Sequence, residues 1–115
     1  MLIKIHSQDV SINDKLRGYI QTKLRLTLGL YHDKIQRTDI FLKDVNGPKG
    51  GKDIACKIKV KADGHTPFVS QQTTEDVVSS VNIAAHKIKR TASRRFDKLL
   101  QGRRDNVKTD LEVED

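Results

Sequence analysis

Between His86 and Leu99 the sequence reads HKIKRTASRRFDKL, with six Lys or Arg in fourteen residues and Asp97 as the one acid. Cations at that density are either a solvated face or a surface for phosphates. At 100° per residue on a helix, Lys87, Arg94 and Lys98 fall within about 40° of one another, and Arg90 lies slightly further round. A charge row on a helix is ordinarily a solvated face, balanced by acids one turn away. Here Asp97 alone cannot neutralise it by i to i+4 pairing. The uncompensated repulsion is offset when a polyanion binds, and Lys/Arg contacts to phosphate supply affinity that falls with salt. Lys15, Arg17, Lys23 and Arg25 add a second group of cations earlier in the chain.

Other chemistries find little support. Cys56 alternates with aliphatic residues and reads as a small buried hydrophobe, not a nucleophile. His6, His32, His65 and His86 lack ligand spacing and there is no second cysteine, so no metal site is expected. The stretch NGPKGG, 46 to 51, is rich in glycine but departs from the Gly-x-x-x-x-Gly-Lys-Ser/Thr pattern and joins two strands, where a phosphate-cradling loop opens a helix. No paired carboxylates are placed for acid–base work. We therefore expect no catalytic residues and no cofactor, and a protein that is not an enzyme.

Twenty-two Lys plus Arg against fifteen Asp plus Glu give a formal charge of +7 over 115 residues, which favours an anionic partner. Four of the carboxylates lie in the terminal DLEVED, 110 to 115, so the body is more basic than the total suggests. The length suits one core. With 4% aromatic residues that core must be built from Ile, Leu and Val. A lone cysteine rules out an internal disulfide, and the N-terminal apolar run is too short for a signal peptide. Nowhere do eighteen apolar residues follow one another. The expectation is a cytoplasmic protein.

The elements that must position these cations follow from periodicity. LIKIHS, 2 to 7, alternates with Ile3 and Ile5 on one side, as a strand does. Ser11 can cap a helix with Asp14 three residues on, and Leu16, Tyr19, Ile20 and Leu24 make its apolar face up to Gly29. Lys23 borders that stripe, so its stem should snorkel. In KIQRTDIFLKDV, 34 to 45, Thr38, Ile40 and Leu42 point one way, and Arg37, Asp39, Phe41 and Lys43 the other. In the next strand Ile54, Cys56, Ile58 and Val60 alternate with Ala55, Lys57, Lys59 and Lys61. Asp63-Gly64 supplies a turn, and HTPFVSQQ follows as a fourth strand. Thr73 or Thr74 then caps a helix from about Glu75 to Gln101, whose core face is Val77, Val81, Ala85, Ile88, Ala92 and Leu99.

The order predicts an α+β fold, a two-layer β-α-β-β-β-α sandwich with both helices on one face of a four-stranded sheet. Residues 1–101 would form the domain and 102–115 a flexible acidic tail. The open sheet face would carry Lys57, Lys59 and Lys61 with Phe41 as its one aromatic, short of the aromatic pair with which some sheets stack bases. Arg95 points toward the core, so either the helix overruns the sheet or the guanidinium meets a carboxylate.

The stretch EDVVSSVNIAAHKIKRTASR, 75 to 94, resembles the long helix of the ribosome hibernation-promoting factors and ribosome-associated inhibitors, also called protein Y or sigma-54 modulation proteins. Lys87, Arg90 and Arg94 fall on that family's basic positions. LRGYIQTKL, from Leu16, resembles its first helix, with Arg17 and Lys23 in register. The similarity spans about residues 1 to 100. Val77-Val78 stands where the family carries Met-Tyr, one extra residue falls near Gly29, and the loop after Val45 is longer and richer in glycine.

The resemblance implies a short-form member shaped like double-stranded RNA-binding domains. It implies partners in the 30S subunit or 70S ribosome, where cations of the two helices would grip 16S rRNA in the decoding region and block the mRNA and tRNA sites under stress or in stationary phase. The contacts would be Lys87, Arg90, Arg94 and Lys98 with Lys15, Arg17, Lys23 and Arg25. No membrane or small-molecule partner is implied. A general double-stranded RNA-binding module and a sigma-54-related protein modulator remain alternatives, and neither the effect on ribosome dimerisation nor the inducing stress is written in these residues.

Overall fold

Alternation of aliphatic and lysine side chains makes the strand Ile54–Ala62 amphipathic, and the computed structural model, which describes residues 1–46 and 53–97, places it inside the sheet. The order is β1 (Leu2–Gln8), α1 (Asp14–Thr27), a 3-10 turn (Gly29–Tyr31), β2 (Ile35–Asp44), β3 (Ile54–Ala62), β4 (Phe68–Thr74) and α2 (Val77–Phe96). The four strands lie in sequence order, β1 parallel to β2 and the other pairs antiparallel. Both helices cover one face, so the two-layer sandwich expected from the pattern is the fold observed. The tail and most of the NGPKGG loop lie outside the described residues, as do Lys98 and Leu99.

The core is aliphatic, as the composition requires. Ile20, Leu24 and Leu28 come from the α1 side, Ile40, Leu42, Ile58 and Val60 from the sheet, and Val81, Ala85, Ile88 and Ala92 from α2, all essentially without solvent exposure. A bulge between Ile35 and Arg37 admits Ile35 to this set. Strict alternation would put Ile35 outside with Arg37 and Asp39, and the extra residue Gln36 reverses the parity. Three of the five Phe and Tyr residues meet at one end: Phe96 contacts Tyr31, His65 and Phe68, with ring centroids 4.9, 5.0 and 5.9 Å away.

Three boundaries differ from expectation. Asn13, not Ser11, caps α1, its side-chain oxygen accepting from the Leu16 amide at 2.8 Å. Asp76 caps α2 by accepting from the Ser79 amide at 2.8 Å, because Thr74 still belongs to β4. The fourth strand begins at Phe68, since Pro67 has no amide hydrogen to give to a ladder. The Asp63-Gly64 turn forms where expected, with Gly64 at φ +71°, a conformation glycine takes without Cβ strain. Tyr19 stands at the rim of its helix face, more than a third exposed, and its hydroxyl donates to Asn82 Oδ1 at 2.6 Å, tying α1 to α2.

Two polar groups enter the core with opposite outcomes. Ser80 is fully buried but satisfied: its hydroxyl donates to the Ile54 carbonyl at 2.6 Å and accepts from the Thr74 amide at 3.1 Å. Thr38 is equally buried, and its Oγ1 has no hydrogen-bond partner among the described residues. A buried hydroxyl left unpaired costs about 1–3 kcal/mol. Thr38→Val, nearly the same shape without the hydroxyl, should therefore raise the unfolding free energy by about 1–2 kcal/mol in urea titrations.

Candidate nucleic-acid interface

Helix α2 carries Lys87, Lys89, Arg90, Arg94 and Arg95 within its twenty residues and no carboxylate. Its buried stripe, Val81, Ala84, Ala85, Ile88 and Ala92, turns every one of these cations except Arg95 toward solvent. Lys87, Arg90 and Arg94 line one open groove with Thr91 and the β4 residues Val69 to Gln71. Lys87 Nζ spans this groove, donating to the Gln71 carbonyl at 3.1 Å and to Gln72 Oε1 at 2.6 Å. Part of the exposed β4 edge is thereby covered by a cation, which also blunts strand pairing with another chain. Arg94 Nη2 leans on Thr91 Oγ1 at 3.4 Å, and Thr91 in turn bonds the Lys87 carbonyl at 3.2 Å.

Asp97, the one acid near the row, is engaged elsewhere. It accepts from the Tyr31 hydroxyl at 3.1 Å, and Ser93 Oγ lies 3.1 Å from the same hydroxyl. Burial, reinforced by the Asp97 charge, raises the Tyr31 phenol above its ordinary pKa and keeps it protonated. The carboxylate thus fastens the end of α2 to the 3-10 turn.

A second groove runs between the helices, lined by Lys23, Leu26, Thr27, Asn82, His86 and Lys89. It joins one predicted contact, Lys23, to His86 and Lys89, which sequence reasoning left out. Their signal was present: both lie about 100–160° round α2 from Ile88, on the flank opposite Lys87 and Arg94. Lys23 is half-buried, as a snorkelling stem requires. The other first-helix cations are not gathered here. Arg17 falls about 120° from Lys23 round α1, so both cannot face α2; Lys15, Arg17 and Arg25 are all exposed. Lys98 lies outside the described residues.

Arg95 resolves differently from either expectation taken alone. Its guanidinium meets no carboxylate among the described residues: Nη1 donates to the Thr66 carbonyl at 3.0 Å and the group sits 5.2 Å from the Phe68 ring centroid. It clamps the β3–β4 turn, partly through a cation–π contact.

Catalytic alternatives meet specific obstacles. Cys56 is fully buried, and that burial pushes its thiol up to about 12, so thiolate is suppressed at neutral pH. A thiol-specific chromogenic reagent should leave Cys56 unmodified in the folded protein and label it stoichiometrically above the urea midpoint; fast labelling without urea would contradict this burial. Among the described residues no His, Cys, Asp and Glu group is arranged to hold a metal ion, and no helix is long and apolar enough to cross a membrane.

Comparison with known proteins addresses the fold and the family. A ribosomal subunit interface protein from Coxiella burnetii superposes with a TM-score of 0.70 at 23% identity, covering 83% of this chain and 97% of that one. The N-terminal domain of Protein Y from Thermus thermophilus gives 0.67 at 23% identity, covering 84% of this chain and 99% of that one. At such identities these likenesses establish the fold. No curated protein sequence matches significantly. The family model described as sigma 54 modulation protein / S30EA ribosomal protein matches residues 3–100, and the chain accordingly belongs to that ribosome-associated family.

Proposed function

We propose that this protein is a non-catalytic ribosome-binding translation inhibitor. Its helix face grips 16S rRNA phosphates in the decoding region of the small subunit, sterically closing the mRNA and tRNA sites of idle ribosomes in the cytoplasm under stress or in stationary phase. The observation that carries this reading is the carboxylate-free α2, whose Lys87, Arg90 and Arg94 meet along one groove while Asp97 is tied to Tyr31. Phosphate contacts of that kind position a protein on RNA without reading its sequence, and A-form RNA is recognised mostly by shape and backbone. Membership of the family supports the ribosome as the source of the phosphates.

Gradient sedimentation with purified 30S and 70S particles tests it. The protein should co-sediment at low salt and be released as salt rises from about 50 to about 200 mM. Equal affinity for plain duplex RNA would favour a general duplex binder, and capture of a protein partner at high salt without RNA would favour a modulator of transcription factors.

A further inference from the structure

The sheet's other face is strongly basic. Its outward positions are Leu2, Lys4, His6 and Gln8 on β1, Arg37, Asp39, Phe41 and Lys43 on β2, odd residues 55–61 on β3 and 69–73 on β4. Asp39 is the only carboxylate among them, against Lys4, Arg37, Lys43, Lys57, Lys59 and Lys61. That carboxylate is already committed. Arg37 Nε and Nη2 donate to its two oxygens at 2.9 and 3.0 Å, and His6 Nε2 lies 2.9 Å from Oδ1. The Arg37 hydrogen bonds, with a smaller contribution from His6, hold the Asp39 carboxyl below its ordinary range despite partial burial. The lysines are left with no carboxylate among the described residues.

Phe41 is not alone on this face, contrary to the expectation from sequence. Parallel pairing sets His6 beside Phe41, and the rings stack at 4.6 Å with 12° between planes. Asp39 holds the imidazole in that pose. Both side chains are exposed, and Lys57 stands opposite Phe41 on β3. Lys57, Lys59 and Lys61 recur about 6.6 Å apart along β3, a repeat close to the phosphate spacing of an extended nucleic-acid strand. An aromatic plate beside a cationic ladder on an open sheet is the arrangement that stacks unpaired bases and tracks a backbone.

We infer that the open sheet face binds single-stranded RNA, with Lys57, Lys59 and Lys61 on successive phosphates and the His6–Phe41 stack receiving an unpaired base. The site is separate from the helix face and does not depend on the function proposed for it. An acidic polypeptide fits the charges as well, but it has no use for an exposed aromatic stack, so RNA is the favoured occupant.

Fluorescence anisotropy with a short labelled single-stranded RNA of mixed sequence tests this on the full chain. The variant K57Q/K59Q/K61Q should flatten the slope of log affinity against log salt by about two units, each lost single-strand contact contributing about 0.7. Phe41→Leu keeps an apolar side chain but removes the ring, and should weaken binding between about 5- and 150-fold, the worth of one base stack. The helix-face variant K87E/R90E/R94E should retain most of this binding. Urea midpoints near that of the parent would show that both sheet variants are folded. Unchanged affinity and salt slope in both sheet variants would overturn the inference, whatever the helix-face variant does on ribosomes. So would polyglutamate displacing the RNA from the parent as effectively as unlabelled RNA while Phe41→Leu has no effect, which would assign the face to acidic proteins.

Discussion

Reversing the charge of Lys87, Arg90 and Arg94 together is expected to release the protein from ribosomal particles while leaving it folded. Each charge-assisted hydrogen bond contributes about 1.5–3 kcal/mol, so losing three weakens binding by roughly 1,000-fold even at the low end. The salt dependence should flatten by about two to three units for the same three contacts. All three side chains are exposed, and the bonds Lys87 makes to Gln71 and Gln72 lie at the surface, so the fold loses little with them. One term needs a control: an acid at position 94 would sit in the last turn of α2, where the helix dipole disfavours negative charge by about 0.3–1 kcal/mol. The variant K87Q/R90Q/R94Q avoids that penalty and should still bind far more weakly than the parent. Sedimentation unchanged in both variants would remove the helix face from the ribosome contact.

Much of this architecture was legible because the core is aliphatic and the helices are amphipathic. Ile54, Cys56, Ile58 and Val60 alternate with lysines so regularly that β3 admits one register, and a one-residue slip would bury Lys57 and Lys59. What escaped depends on pairing between distant segments. The His6–Phe41 stack joins residues 35 positions apart, and its first requirement, β1 parallel and adjacent to β2, is a fact of topology. The Gln36 bulge left no mark in the alternation from Arg37 onward. Ser80 reads as polar until the Ile54 carbonyl and the Thr74 amide are brought to it.

The basic row was likewise readable while its surroundings were not. Angles around α2 predicted that Lys87, Arg90 and Arg94 share a flank, and the groove against β4 shows what lies beside them. The same arithmetic on α1 could not say which flank faces α2. The Tyr19–Asn82 hydrogen bond decides it, bringing Lys23 inward and leaving Arg17 on the other side. Asp97 illustrates the limit best: read only as the one acid within the basic stretch, it proves to be the anchor of Tyr31.

Ile88→Ala should be the most destabilising truncation on α2, although it falls between two exposed cations, Lys87 and Lys89. Ile88 is fully buried at the centre of the stripe formed by Val81, Ala84, Ala85 and Ala92. Its neighbours on that stripe are already small, so adjacent helix side chains cannot refill the space. Removing a buried branched side chain under those conditions costs about 2–5 kcal/mol, from lost transfer energy plus the cavity left behind. In a domain of this size that lowers the melting temperature by about 10 °C or more. Lys87→Ala, one residue away, should change stability by less than about 0.5 kcal/mol, since surface substitutions rarely do more. Binding inverts the order: below its melting transition Ile88→Ala should keep the salt slope of the parent on ribosomes, whereas Lys87→Ala should reduce it by nearly one unit. Equal stability losses at both positions would mean that α2 is not divided into a core face and a phosphate face as described.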